Sequence, residues 1–139
     1  MKTQDPIKTI MTAQVYTVQE DGDLHEVIHM FKKHKIRHVP VLKGNQLVGM
    51  ISRTDINRLS FGALFENQPG ADETVLEMLS INEVMTSKIK VAQATQSIHE
   101  VAHIFTTEKF HTLPVVEDGN LVGIVSTTDI ILYFLRNCH

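Results

Sequence analysis

The sequence predicts an α/β protein, an α+β arrangement of two tandem β-α-β-β-α repeats. Three observations predict it: short words recur 74 positions apart, β-rich runs alternate with helical apolar spacing inside each copy, and turn residues fall at matching places. Met11-Thr12 returns as Met85-Thr86, His25-Glu26-Val27 as His99-Glu100-Val101, and Leu47-Val48-Gly49 as Leu121-Val122-Gly123. Aligned without a gap, Met11–Asn57 and Met85–Ile131 share 18 of 47 residues, and most other apolar positions exchange for apolar ones. The chain is a duplication.

The elements follow in order. Asp5-Pro6 carries a helix-start signal, because proline suits the first helical position. Val15 to Val18 predicts a short strand. Leu24, Val27, Ile28 and Phe31 recur at helical spacing and define one apolar face. His38–Leu42 and Gln46–Ile51 are β-rich runs separated by Lys43-Gly44-Asn45, which predicts a hairpin. Ser52-Arg53-Thr54-Asp55 then opens a helix through Ile56 and Leu59, extending to Glu66.

Asn67-Gln68-Pro69-Gly70 breaks that helix. Asp72 caps a short one through Val75, Leu76 and Leu79. Ser80-Ile81-Asn82-Glu83 is a further helix start, ahead of the second Met-Thr pair. Ile89 to Val91 predicts the second copy's short strand, and Ser97-Ile98-His99-Glu100 reads as a capping box opening a helix with Val101 and Phe105. A hairpin through Asp118-Gly119-Asn120 follows, and Ser126 to Asp129 opens the last helix. The copies occupy 1–66 and 81–139, joined by a connector over 67–80 whose apolar residues are expected to pack on the module or a partner.

Composition narrows the function. The 139 residues suit one domain, or two small units sharing one core. A formal charge of −3 argues against a nucleic-acid binder, which would show a basic excess. The longest apolar stretch, Ile130 to Leu135, is too short for a bilayer span, and the first residues lack a signal-peptide pattern. With Cys138 as the one cysteine, no internal disulfide is possible and the cytoplasm is expected.

His25-Glu26-Val27-Ile28-His29 and His99-Glu100-Val101-Ala102-His103 both match H-E-x-x-H, the helix of zinc proteases. Spacing of four puts both imidazoles on one helical face, as zinc ligation requires. Leu24, Val27, Ile28 and Phe31 claim the core, however, leaving the histidines toward solvent or an interface. No third-ligand pattern follows either helix. An ordinary amphipathic helix is therefore expected rather than a zinc-dependent hydrolase, and no metal, required cofactor or catalytic residue is assigned.

His38-Val39-Pro40-Val41 and Thr112-Leu113-Pro114-Val115, with Gly49-Met50-Ile51-Ser52-Arg53-Thr54-Asp55 and Gly123-Ile124-Val125-Ser126-Thr127-Thr128-Asp129, give the duplicated chain a resemblance to the CBS domain family, named after cystathionine β-synthase. That resemblance implies two repeats packed with pseudo-twofold symmetry, forming two clefts. It implies a homodimer built through helices, and the apolar Phe61, Leu64 and Phe65, just before the connector, are expected to contribute to it. It also implies a regulatory module that binds AMP, ADP, ATP or S-adenosylmethionine and acts on an effector protein, here a separate molecule. A module that only dimerises or docks is the competing expectation.

The family's Ser-x-x-Asp, whose carboxylate takes the ribose hydroxyls, falls on Ser52 and Asp55 and on Ser126 and Asp129. The adjoining helix N-terminus offers N–H groups and a positive dipole end to phosphate. The same four residues also form a capping box, which stabilises a helix with no ligand at all. Arg37 and His111, three residues before each strand proline, match the family's basic phosphate contact, with His38 and Thr112 one step on and Arg53 nearby. Val15 and Ile89 begin the strands that would wall the adenine. Arginine grips phosphate through parallel charge-assisted bonds, so the first cleft is expected to favour polyphosphates.

Overall fold

The computed structural model describes residues 4–64 and 78–137. The chain divides into two compact units, Tyr16–Ile89 and Met1–Val15 with Lys90–His139. In the first unit β1 (Val18–Gln19), α1 (Leu24–Lys33), β2 (His38–Lys43), β3 (Gln46–Ser52) and α2 (Arg53–Leu64) are followed by a short α3 (Ile81–Val84). The second unit contains a 3-10 turn at Ile7–Thr9, then β4 (Ala92–Gln93), α4 (Ile98–Thr107), β5 (Thr112–Glu117), β6 (Asn120–Ser126) and α5 (Thr127–Asn137).

The strands pair alike in both units. β1 runs parallel to β2, and β2 antiparallel to β3, with Val18 opposite Val41 and His38 opposite Ser52. β4, β5 and β6 repeat this, with Ala92 opposite Val115 and Thr112 opposite Ser126. The hairpins close where the sequence predicts. Gly44 takes a positive φ of 64° in one, and Asp118 and Gly119 both take positive φ in the other, as a type I′ turn requires.

The first strand of each copy is shorter and later than expected. Val15–Thr17 and Ile89–Val91 lie outside β1 and β4. In the parallel register the next partner of β2 beyond Val41 is Pro40, and of β5 beyond Val115 is Pro114. Proline has no N–H to continue a ladder, so pairing starts one residue later. On the other side each proline faces a residue whose hydrogen bonds point away from it. Met50 exchanges both backbone bonds with Thr86, and Ile124 exchanges both with Thr12, all at 2.8–3.0 Å.

Those bonds show where the Met-Thr words go. Met85-Thr86 stands at the start of the second copy yet pairs with β3 of the first, and Met11-Thr12 stands at the start of the first copy yet pairs with β6 of the second. The neighbouring segments follow. Ile81, in α3, is fully buried in a core with Val18, Val27, Val41 and Ile51, whereas Ile7 is fully buried with Ala92, Val101, Val115 and Val125. Each unit is completed by the segment at the start of the other copy.

Helix starts are satisfied by side chains. Asp23 accepts the His25 N–H at 2.9 Å, and Ser80 with Glu83 forms a complete capping box on α3. At Ser97 the expected box is half made. Its hydroxyl accepts the Glu100 N–H at 3.1 Å, but the Glu100 carboxylate takes the Gln96 side-chain amide at 3.3 Å instead of returning to Ser97. The expectations for Glu66, Asn67–Gly70 and the Asp72 helix lie outside the described residues.

Candidate functional site

In each unit the expected site residues meet where the third strand passes into the final helix. Ser52 ends β3 opposite His38, and the Arg53 N–H donates to the Arg37 carbonyl at 2.8 Å. Arg37, His38, Ser52, Arg53 and Asp55 thus share one end of the β2–β3 hairpin. The second unit repeats the placement, with Thr112 opposite Ser126 and the Thr127 N–H donating to the His111 carbonyl at 3.0 Å.

Both Ser-x-x-Asp words close as reciprocal capping boxes. The Asp55 N–H donates to Ser52 Oγ at 3.1 Å while the Ser52 N–H donates to Asp55 Oδ2 at 3.2 Å. In the second copy the distances are 3.1 Å for the Asp129 N–H to Ser126 Oγ and 2.9 Å for the Ser126 N–H to Asp129 Oδ2. Only one carboxylate oxygen closes each box. The box therefore fixes the rotamer of a carboxylate whose Oδ1 stays outside it.

The flanking bases differ. Arg37 and His111 are exposed, whereas Arg53 is partly buried and turned inward. Its guanidinium donates to the Phe31 carbonyl in the last turn of α1 and lies 5.8 Å above the Phe31 ring. That carbonyl is one of those a helix end leaves without an intrahelical partner. Arg53 thus ties the start of α2 to the end of α1. Thr127 in the same place has no guanidinium and makes no such tie.

His38 is half-buried, and burial pushes its imidazole pKa below the ordinary value; the Asp55 carboxylate opposes this and Arg37 reinforces it. The site therefore favours a neutral His38.

In the second unit a groove of about 350 Å³ is lined by Thr9, Ile10, Met11, Asp129, Tyr133 and Arg136, among others. It brings Asp129 together with residues the sequence reading did not select. Arg136 lies seven positions after Asp129, two helical turns along the same face, so helical spacing alone could have found it. Thr9 and Met11 needed the tertiary structure, because they come from the start of the other copy. The H-E-x-x-H helices bury Leu24, Val27 and Phe31 in α1 and Ile98 and Val101 in α4, as an amphipathic reading requires.

A gapless duplication folded as two like units defines a tandem α/β repeat protein. The chain belongs to the CBS domain family, whose model matches residues 7–62 and 81–136. Two relatives from Methanocaldococcus jannaschii are uncharacterized. Protein MJ1225 is 30% identical over 128 residues, covering 91% of this chain but 42% of its own length. Protein MJ1426 is 33% identical, covering 90% of this chain and 88% of its own. The MJ1225 crystal structure aligns with a TM-score of 0.81 at 25% identity over 96% of this chain and 49% of that one.

The CBS domain pair of MJ0100, solved with 5′-methylthioadenosine and S-adenosylmethionine, aligns at 0.71 with 27% identity, covering 95% of this chain and 97% of that one. CBSX2, solved with AMP, aligns at 0.79 over 97% and 99%, and at 21% identity shows the fold alone. Such pairs are in general regulatory modules. No helix among the described residues is long and apolar enough to cross a membrane.

Proposed function

We propose that the chain senses an adenine nucleotide or related adenosyl ligand, one of AMP, ADP, ATP and S-adenosylmethionine, at the Ser-x-x-Asp ends of its two hairpins. The observation that carries this reading is the twofold placement of a rotamer-locked aspartate beside an exposed basic residue, Asp55 with Arg37 and Asp129 with His111. Ribose hydroxyls would go to the aspartate oxygen outside the box, and phosphates to the base and the helix N-terminus. The ligands of the MJ0100 pair support the adenosyl class. The module has no catalytic role; in a cytoplasmic setting the ligand shifts its conformations and so the activity of an effector protein, by no more than its differential affinity for those states.

A homodimer belongs to the same proposal. Phe61, Leu64 and Phe65 lie outside the described side chains, but Ile131, Leu132 and Leu135 leave an apolar stripe of α5 exposed by 56%, 42% and 70%. A second copy is the occupant that the family's helix-built dimers suggest. The helix-capping role of the same Ser-x-x-Asp residues favours a second reading, a module that only dimerises or docks.

A thermal-shift screen of the full chain against AMP, ADP, ATP and S-adenosylmethionine separates the two. A ligand at 100 times its Kd stabilises the fold by about 2.7 kcal/mol. Absence of any shift leaves the docking module. With Arg53 held by Phe31, the phosphate preference of the first site rests on Arg37. Calorimetry should therefore find ATP or ADP binding weakened more by Asp55→Ala than by Asp129→Ala, and the reverse order would refute the assignment.

A further inference from the structure

We propose that α1 and α4 each carry a two-imidazole chelate for a divalent metal ion of borderline softness, formed by His25 with His29 and by His99 with His103. The idea stands apart from nucleotide sensing, since these residues lie on other elements than the Ser-x-x-Asp ends. Both pairs are spaced by four within a regular helix, which puts their Cβ atoms about 5–6 Å apart on one face. That face points away from the core residues Leu24, Val27 and Val101. His29, His99 and His103 are exposed and His25 is half-exposed, so an ion reaches them without any rearrangement of the core.

None of the four rings takes part in a hydrogen bond among the described residues. Where these histidines bond at all, they use backbone groups: the His25 N–H goes to Asp23, and the His103 carbonyl receives Thr106 and Thr107. An ordinary solvated face explains one unpartnered histidine pair. It does not call for the same pair at the same place in both copies, when 29 of the 47 aligned positions have diverged (47 − 18 = 29).

The ligand set chooses the ion. Imidazole suits Cu²⁺, Ni²⁺ and Zn²⁺, whereas Mg²⁺ and Ca²⁺ want oxygen. Glu26 and Glu100 lie about 100° round the helix from His25 and His99 and three residues before His29 and His103, and Glu100 is held by Gln96. Neither completes the shell, and no group of three or more histidine, cysteine or acidic ligands gathers among the described residues. Water fills the remaining positions. Open coordination of this kind suits the tetragonal or octahedral preference of Cu²⁺ and Ni²⁺ better than the closed tetrahedron of structural zinc.

Calorimetry of the full chain with NiCl₂ in a non-chelating buffer tests this, because the second Ni–N bond at each site is intramolecular. The expected result is two ions per chain. His29→Ala should leave one, and His29→Ala with His103→Ala together should weaken what remains by at least about a hundredfold. His29 and His103 are exposed, so these variants keep the fold, which circular dichroism checks. Cu²⁺ titrated into the native chain should show two imidazole nitrogens per ion in its paramagnetic resonance spectrum. No binding up to millimolar Ni²⁺, one ion per chain, or binding that survives the double variant and so sits elsewhere would each overturn the proposal.

Discussion

Gly49 and Gly123 occupy equivalent places but tolerate change unequally. A Cβ on Gly49 would clash with Met85 Sδ and meet its Cγ at 2.9 Å, both in a flexible side chain, with the Thr86 carbonyl at 3.2 Å. On Gly123 it would meet Met11 Sδ at 2.6 Å and the Thr12 carbonyl at 2.8 Å. A methionine can swing aside; a carbonyl locked in a bridge cannot without breaking it. Gly123→Ala should therefore cost about 1–3 kcal/mol and Gly49→Ala less, as urea unfolding would measure. Equal losses would contradict the asymmetry. His38 adds a pH dependence at the same scale. Burial lowers its folded pKa below the unfolded 6.5, so the folded state binds fewer protons than the unfolded state in that range. The stability this neutral ring contributes is full above pH 6.5 and is lost as pH falls through the folded value. Replacing His38 by glutamine should flatten the fall in stability below pH 6.5; an unchanged slope would place the proton elsewhere.

Among the elements, the helices opened by Ser-x-x-Asp carry the proposed site, and their boxes stabilise these helices in their own right. Ser52→Ala and Ser126→Ala each remove the acceptor for an aspartate N–H and should lower stability by about 1 kcal/mol in ligand-free protein, read by urea denaturation. Loss of nucleotide affinity well beyond that, in protein kept folded, would point to the hydroxyl acting on the ligand as well. The Arg53 tie sets the first unit apart from the second. It joins two helices of one unit at a place where the second copy has threonine, so the duplicated site ends are not equivalent in rigidity.

Across the whole molecule, each unit depends on a segment from the start of the other copy. Ile7→Ala should remove about 2–5 kcal/mol of packing from the unit containing β4 to β6, although Ile7 stands at the start of the first copy. Ile81→Ala should do the same to the unit containing β1 to β3. Hydrogen exchange read amide by amide checks this. Faster exchange in β5 and β6 for Ile7→Ala, and in β2 and β3 for Ile81→Ala, is expected; the opposite pattern would refute the crossed assignment.

Among the described residues, the sequence by itself determined the duplication, the order of the main strands and helices, both hairpins and the helix starts at Ser52, Ser80, Ser97 and Ser126. Each of these is written in local chemistry: Asp-Gly for a tight turn, serine or aspartate for a cap, apolar spacing for a buried helix face. It also brought Ser52 with Asp55 and Ser126 with Asp129 into view, because three residues of separation make a box in any helix start. The tertiary structure alone decided where β1 and β4 begin, since that depends on Pro40 and Pro114 standing across the ladder. It alone turned Arg53 inward to Phe31, away from solvent, a contact over 22 positions. And it alone sent Met11-Thr12 to β6 and Met85-Thr86 to β3. A glycine cleared of side chain admits either of two nearly identical words, and only the packing of the whole chain selects which one arrives.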